Sequence, residues 1–495
     1  MEKVDCIVVG GGLAGLSAAY GLASEGFEVM VLERGDYSGA KNVTGGRLYL
    51  SRIRNLYPEL WDEAPLERPV TRELITMLGD GTATTVEIAA DRFAGGDPGT
   101  RDGAGTRDAA GTRDAAGMCN GAPQSATVVR AKLDRWLADK VTEKGAMVVT
   151  KMKVDELLRE GAAAGAEGAV ASGGKVIGIR AGDDEIGADV VVVAEGALGL
   201  LSSAAGLRKL PEAKDYALGY KEVIELPAAT IEDRWHLNPG EGAAQLFMGK
   251  VTRGMTGGGF LYTNADSISL GIVVAMEQMC SRGDELESWR LLDEFKDLPV
   301  VKPLVAGGTV AEYSAHAIPE GGIAAVPPLV GDGYVMVGDA AGLSLNALVT
   351  VRGMDFAIAS GYYAAKAIVA ARKGARGGAG AGIASRAGIA SGAGIASGAG
   401  AGAGTLSAVD LAGYERSLRA SFVLQDLETA RAYPALIENR RLFTHYPDAV
   451  GRLLQDVFSV GPGPSQRLVK TVWKGARRDF LNLATLHDLW ELRKL

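Results

Sequence analysis

Val4-Asp5-Cys6-Ile7-Val8-Val9-Gly10-Gly11-Gly12-Leu13-Ala14-Gly15 reads as a buried strand, a glycine turn and the start of a helix. The β-branched run of residues 4–9 suits a parallel strand covered on both faces. In the turn, Gly10 permits the tight bend, Gly12 lets the backbone approach a pyrophosphate, and Gly15 lets the helix pack against the strand. The helix predicted over about residues 13–24 aims its first amides, beginning at Leu13 and Ala14, and its dipole at the phosphates. Residues 28–32 form the next predicted strand. It ends in Glu33, a carboxylate placed to accept hydrogen bonds from ribose hydroxyls and to disfavour a 2′-phosphate. This order describes a dinucleotide site unsuited to NADP.

Far along the chain lies a second segment, Val335-Met336-Val337-Gly338-Asp339-Ala340-Ala341-Gly342, leading to Thr350-Val351-Arg352-Gly353-Met354. A strand here ends in Gly338-Asp339, where the aspartate can bind ribityl or phosphate-linked hydroxyls. A helix predicted over about 354–371 presents an N-terminus able to stabilise negative charge at the pyrimidine end of a reduced flavin. Gly-Asp alone is common in turns. As the distant partner of the first segment it selects FAD over NAD. Residues 254–259 are glycine-rich but lack a strand before and a helix after, so no separate NAD(P)H domain is expected. The reductant then docks transiently or is another protein.

The remaining composition sets bounds. A chain of 495 residues can bury a large core. Its net charge of −8 argues against nucleic acid as the main partner. No apolar run reaches the roughly 18 residues that a membrane span needs, and the N-terminus lacks a signal-peptide layout. The expected location is cytoplasmic, free or peripheral on the inner face of the cell membrane. Cys6, Cys119 and Cys280 form no CxxC and supply too few ligands for an iron–sulfur cluster. His236, His316, His445 and His487 have no metal-ligand spacing, and no metal is expected.

Two sets of hexapeptide repeats, at 99–116 and 382–399, consist mostly of small residues. They read as flexible inserts over about 94–122 and 373–406, with a third, smaller one at 161–174. Between them the chain predicts a helix over 130–144, strands over 147–157, 175–180 and 189–194, and antiparallel strands over 216–226, 258–263 and 267–275. The fold class is α/β: a Rossmann-type FAD-binding region in two parts (1–210 and 326–372), an inserted, mostly antiparallel substrate or quinone-side domain (211–325), and a helical C-terminal region (407–495). Residues 467–495 interleave Arg467, Lys470, Lys474 and Arg477 with Trp473 and Trp490. That pattern suits either a membrane surface or an ordinary docking helix.

Several further segments resemble the electron-transfer flavoprotein–quinone oxidoreductases, in their FixC-like branch. They are residues 32–42 (LERGDYSGAKN), 64–68 (APLER), 219–224 (GYKEVI), 257–264 (GGGFLYTN) and 316–322 (HAIPEGG). The resemblance covers most of the chain outside the repeats. It implies a fold similar to that of geranylgeranyl reductases, one non-covalent FAD, and electron transfer from an electron-transfer flavoprotein towards a quinone. It also implies a FixABCX-like complex with a small, separate ferredoxin-like protein. A prenyl-lipid reductase on the same fold is the alternative. A flavin-bound subunit with no substrate site of its own is the non-enzyme alternative.

The resemblance assigns the ADP half of the cofactor to Gly10, Gly12, Gly15, Glu33 and Arg34, and a loop approaching the flavin to Lys41 and Asn42. Arg130 resembles the family's arginine near the cofactor. Glu195-Gly196 resembles its Asp-Gly pair, with Glu in place of Asp. Gly338 and Asp339 fall at the ribityl–phosphate region, and Gly353 and Met354 near the isoalloxazine. Asn346-Ala347-Leu348-Val349 departs from the expected pattern. No side chain is required as nucleophile or acid–base catalyst, since the flavin carries the chemistry. Lys221, Glu222, Tyr262 and His316 are the candidates for the quinone side.

Overall fold

The computed structural model describes residues 2–41, 46–95, 122–161, 174–283, 287–384, 404–462, 464 and 467–493. The chain begins with β1 (Glu2–Val9), α1 (Leu13–Ser24) and β2 (Val29–Leu32). A long hairpin follows, β3 (Val70–Gly79) and β4 (Thr82–Ala89), and then α2 (Arg130–Glu143) and β5 (Asp184–Val193). The middle holds β6 (Tyr216–Glu225), β7 (Gly242–Gly249), β8 (Gly257–Thr263), β9 (Ser267–Ala275), α3 (Ser288–Asp297) and β10 (Thr309–Pro319). After β11 (Tyr334–Met336) and the long α4 (Met354–Ala384), a helical region leads to α5 (Leu468–Asp479) and α6 (Leu483–Leu492).

The first sheet is Rossmann-like. β1 lies between β5 and β2, parallel to both, and β11 adds to the far side of β5. Cys6 to Val8 and Val190 to Val193 are buried almost completely, as their β-branched composition requires for a sheet covered on both faces. The strand predicted over 147–157 is two strands, Met147–Val149 and Glu156–Arg159. The break falls at Lys151, which has φ of +60°. There the chain turns to bond the loop after β2, with Lys151 N donating to Gly35 O and Met152 N to Glu33 O.

The second sheet has the order β10-β6-β9-β8-β7-β3-β4, antiparallel throughout except where β7 runs parallel to β3. The mostly antiparallel domain is therefore present, but it is larger than the 211–325 expected. The β3–β4 hairpin, assigned from sequence to the first FAD-binding part, completes this sheet instead. Arg68, within the family-like 64–68 segment, locks the hairpin in place. It is buried and donates from Nε to Asn264 O (2.6 Å), from Nη1 to Glu241 O (2.8 Å) and from Nη2 to Ala265 O (2.9 Å).

Helix α4 runs past the expected end near 371 to Ala384, through a glycine-rich stretch whose residues are poor helix formers. The insert predicted from 373 therefore starts in helical backbone. Its remainder to 403, most of 94–122 and most of 161–174 lie outside the described residues. Among the described residues no helix is long and apolar enough to cross a membrane.

The two halves of the first sheet's site meet where α1 crosses α4. A Cβ added at Gly361 would sit 2.2 Å from Ala14 O and 2.8 Å from Ala18 N. Ser17 Oγ donates to Ile358 O at 2.7 Å across the same contact. Gly361→Ala should force the helices apart and destabilise the apo-protein by about 2 kcal/mol, a typical cost of overpacking. A urea-unfolding midpoint unchanged from wild type would refute this close approach.

Candidate functional site

A cavity of about 600 Å³ lies between the carboxyl ends of the first sheet's strands and one face of the second sheet, a volume typical of cofactor sites. Its floor begins at the β1–α1 turn. Gly10 has φ of +111°, and a Cβ there would fall 2.2 Å from Ala194 O. A Cβ at Gly15 would fall 2.1 Å from Gly10 O. Gly12 caps α1 without a side-chain bond, and Gly12, Leu13 and Ala14 line the cavity. The first-turn amides are thus left for an anion. Glu33 is pinned at the edge of the turn, with Oε2 accepting from Gly11 N (2.8 Å) and Oε1 from Gly35 N (2.6 Å). Arg34 and Lys41 stand exposed on the rim. Asn42 lies outside the described residues.

The second motif closes the floor from the other side. Gly338 has φ of +61°, a Cβ there would lie 2.7 Å from Ala14 Cβ, and its N–H donates to Ser360 Oγ at 2.9 Å. It serves the packing, and its neighbour Asp339 faces the cavity. The Asp339 side chain has no hydrogen-bond partner among the described residues. Burial pushes its carboxyl up to about 6, against the opposing pull of Arg130. Arg130 opens α2, is 7% exposed, and grips Asp134 through Nε (2.7 Å) and Nη2 (2.8 Å). Gly353 and Met354 reach the cavity at the start of α4. An uncapped helix terminus, a glycine cradle and a half-buried carboxylate without a partner fit the pyrophosphate and hydroxyl groups of FAD.

Glu195 and Gly196 also line the cavity, but the Glu195 carboxylate accepts from Leu201 N and Ser202 N, both at 2.7 Å. It caps the short helix Leu200–Ala204, so the longer acid in place of Asp is occupied there. The departing segment 346–349 folds as a tight turn in which Leu348 takes φ of +67°, an uncommon conformation for leucine. Asn346 donates from Nδ2 to Glu320 Oε1 at 2.9 Å. Burial pushes the Glu320 carboxyl up, and Glu320 lines the cavity.

Three of the four quinone-side candidates come together and one does not. Lys221, Tyr262 and His316 line the cavity. Glu222 points the opposite way and accepts from Lys296 of α3 at 2.9 Å, as alternation along β6 dictates. The expectation that both neighbours face the cavity is corrected accordingly. Burial holds the His316 imidazole down near 4, with Arg130 and Arg34 adding to the effect. Burial pushes the Tyr262 phenol up and brings Lys221 down to about 8. Sequence reasoning missed the apolar roof of Leu246, Phe260, Val273 and Ile318, and the C-terminal pair Ile437 and Phe443. The roof was legible as strand alternation, whereas Ile437 and Phe443 carried no local signal.

The family model described as FAD dependent oxidoreductase matches residues 5–228, and that of the ETF-QO/FixC family C-terminal domain matches residues 433–495. The chain is 38% identical over 483 residues to the probable electron transfer flavoprotein-quinone oxidoreductase YdiS of Escherichia coli K12, covering 96% of this chain and 95% of that protein. It is 36% identical to protein FixC of the same organism, covering 97% and 96%. Among solved structures, a geranylgeranyl bacteriochlorophyll reductase-like protein from Thermoplasma acidophilum aligns with a TM-score of 0.61 at 18% identity, covering 99% of this chain and 100% of that one. That likeness carries the fold alone. The turn, the distant Gly-Asp, the two-sheet fold and these relatives agree: the chain belongs to the FixC and electron-transfer flavoprotein–quinone oxidoreductase family, and is an FAD-dependent electron-transfer oxidoreductase.

Proposed function

We propose that this protein takes electrons from an electron-transfer flavoprotein and delivers them to a quinone, as a subunit of a FixABCX-like complex with a small, separate ferredoxin-like protein. The observation that carries the reading is the cavity's two-sided character: a polar floor suited to a dinucleotide and a largely apolar sheet above it. Gly10, Gly12, Leu13, Ala14, Gly15 and Glu33 hold the ADP half, with Arg34 and Lys41 at the rim and Arg130 beside the phosphates. Asp339 holds ribityl hydroxyls, and Gly353 and Met354 abut the ring system. FAD, when bound, supplies the redox chemistry, and the chain supplies position and field. A prenyl-lipid reductase remains the second reading, favoured by the same apolar roof.

The C-terminal helices support membrane contact. Leu468, Val469, Trp473, Leu483, Leu486 and Trp490 are exposed, and Arg467, Lys470, Lys474 and Arg477 lie among them, also exposed. Aromatic and apolar side chains interleaved with cations suit an anionic lipid interface. Co-sedimentation with phosphatidylglycerol vesicles should occur and should fall when Trp473 and Trp490 are changed to Gln. Equal sedimentation of both proteins would refute the contact.

The Asp339 assignment predicts a pH signature. Its folded carboxyl lies above the free value, so the apo-fold holds an extra proton between about pH 4 and about 6, and this contribution to stability is lost as pH rises through that window. FAD hydroxyls bind the ionised form best, so FAD affinity should rise through about pH 6. Asp339→Asn should weaken FAD binding about tenfold, the expected loss of a charge-assisted hydrogen bond, and flatten the pH dependence. Flavin fluorescence titration of the apo-protein measures both.

The electron path is tested by anaerobic reduction of the FAD-loaded protein. Reduced electron-transfer flavoprotein should bleach the flavin quickly, and a soluble quinone should restore it. Fast reduction by NADH or NADPH, no response to quinone, and saturation of a prenyl chain would overturn this reading in favour of the second.

A further inference from the structure

One pleated face of the second sheet carries two orphaned polar groups side by side. Lys221 of β6 is 2% exposed, lines the cavity, and has no hydrogen-bond partner among the described residues. Opposite it in the β6–β10 ladder stands Ser314, so both side chains project from the same face. The Ser314 hydroxyl is buried and also lacks a partner among the described residues. On the other flank Lys221 faces Gly271 of β9. A Cβ at Gly271 would lie 2.4 Å from Phe260 Cζ, so the Phe260 ring fills the space where a side chain would stand. That ring stacks on Tyr262, with centroids 5.2 Å apart.

A buried ammonium is costly unless something accepts its hydrogen bonds. The charged groups acting on Lys221 are Glu312, also on β10, and Arg130 from α2, and neither bonds to it. The missing acceptor must come from a ligand in the cavity. Its neighbours specify that ligand: Phe260, Val273 and Ile318 offer an apolar wall, and Lys221 offers a donor beside it. A flat apolar ring bearing an oxygen that gains negative charge on reduction meets both requirements.

We propose that Lys221 marks the head-group site of the acceptor, donating a hydrogen bond to one carbonyl oxygen of a quinone whose ring lies against Phe260. This rests on the electron-transfer reading above and goes further by naming the donor. A cationic donor holds the oxygen more tightly as its charge grows. A prenyl hydrocarbon offers no such oxygen, so the site also separates the two functional readings.

The test uses the FAD-loaded full chain, with decylubiquinone and menadione as probes. Lys221→Met keeps the length and removes the donor. It should raise the KM and the Kd for either quinone about tenfold, the scale of a lost charged hydrogen bond, with FAD content unchanged. Ser314→Ala, whose hydroxyl is closed off beneath the cavity wall, should leave them unchanged, and Lys221→Arg should recover part of the loss. The wild-type Kd should weaken as pH rises through about 8, and Lys221→Met should abolish that dependence. Of the other groups facing Lys221, His316 titrates near 4, Tyr262 and Arg130 are pushed up, and Glu312 acts on it through its charge. If Lys221→Met does not fold, Lys221→Arg and the pH dependence of the wild-type Kd give the same readout. Wild-type quinone turnover matched by Lys221→Met would overturn the proposal, as would loss of FAD with quinone affinity intact. Absence of quinone turnover in the wild type would instead overturn the electron-transfer reading itself.

Discussion

The close approach of α1 and α4 around Ala14 is the constraint on which the rest depends. Gly338 and Gly361 both abut this residue, the first at its Cβ and the second at its carbonyl oxygen. Each is a glycine because a Cβ would collide with an element already fixed by the first sheet. Tyr57 strengthens the contact from outside by donating its hydroxyl to Ser17 O at 2.9 Å. Through this junction the N-terminal turn and the distant Asp339 are held on opposite sides of one cavity. Neither half could hold a dinucleotide alone, and no loop would keep them in register.

The second sheet divides labour by pleat. Residues 217, 219 and 221 of β6 face the cavity, while Ile224 joins the sheet's own core and Glu222 the ion pair with α3. A single-residue slip would exchange the two sets and bury a carboxylate against the cofactor cavity. The register is fixed on both flanks by long antiparallel ladders to β9 and β10. A lysine can therefore be held out of water without rearrangement, because moving it means moving two neighbouring strands.

Much of this was legible in the sequence, for reasons that differ by element. The β1–α1 turn and the Gly338-Asp339 corner are local conformations that demand particular residues, so they are readable one motif at a time. Helix α2 announced itself by Leu133, Leu137 and Val141 on one face, all of which are buried. The β3–β4 hairpin was not placed, because its partner β7 lies far along the chain and its outer strand is largely exposed. Ile437 and Phe443 reach the cavity only because the helical region folds back over the second sheet. Placing Glu222 beside Lys221 on the quinone side came from reading a family-like segment as a unit, when period-two geometry already separated them.

The burial of titratable groups in the cavity follows from the same architecture. Lys221 is pulled toward neutrality by desolvation, and Asp339 and Glu320 are pushed toward protonation by it. His316 is held neutral, with Arg130 and Arg34 adding to burial. The cavity's own side chains thus carry less charge than their residue types suggest. A ligand bringing ribityl hydroxyls to Asp339 and an electronegative oxygen to Lys221 would favour the ionised form of each, since each would then have a hydrogen-bond partner. On this view the site is completed electrostatically by its occupants, and the order of binding matters. Floor and roof share the field of Arg130, which acts on both Asp339 and Lys221, so occupation of one side alters the charge offered to the other.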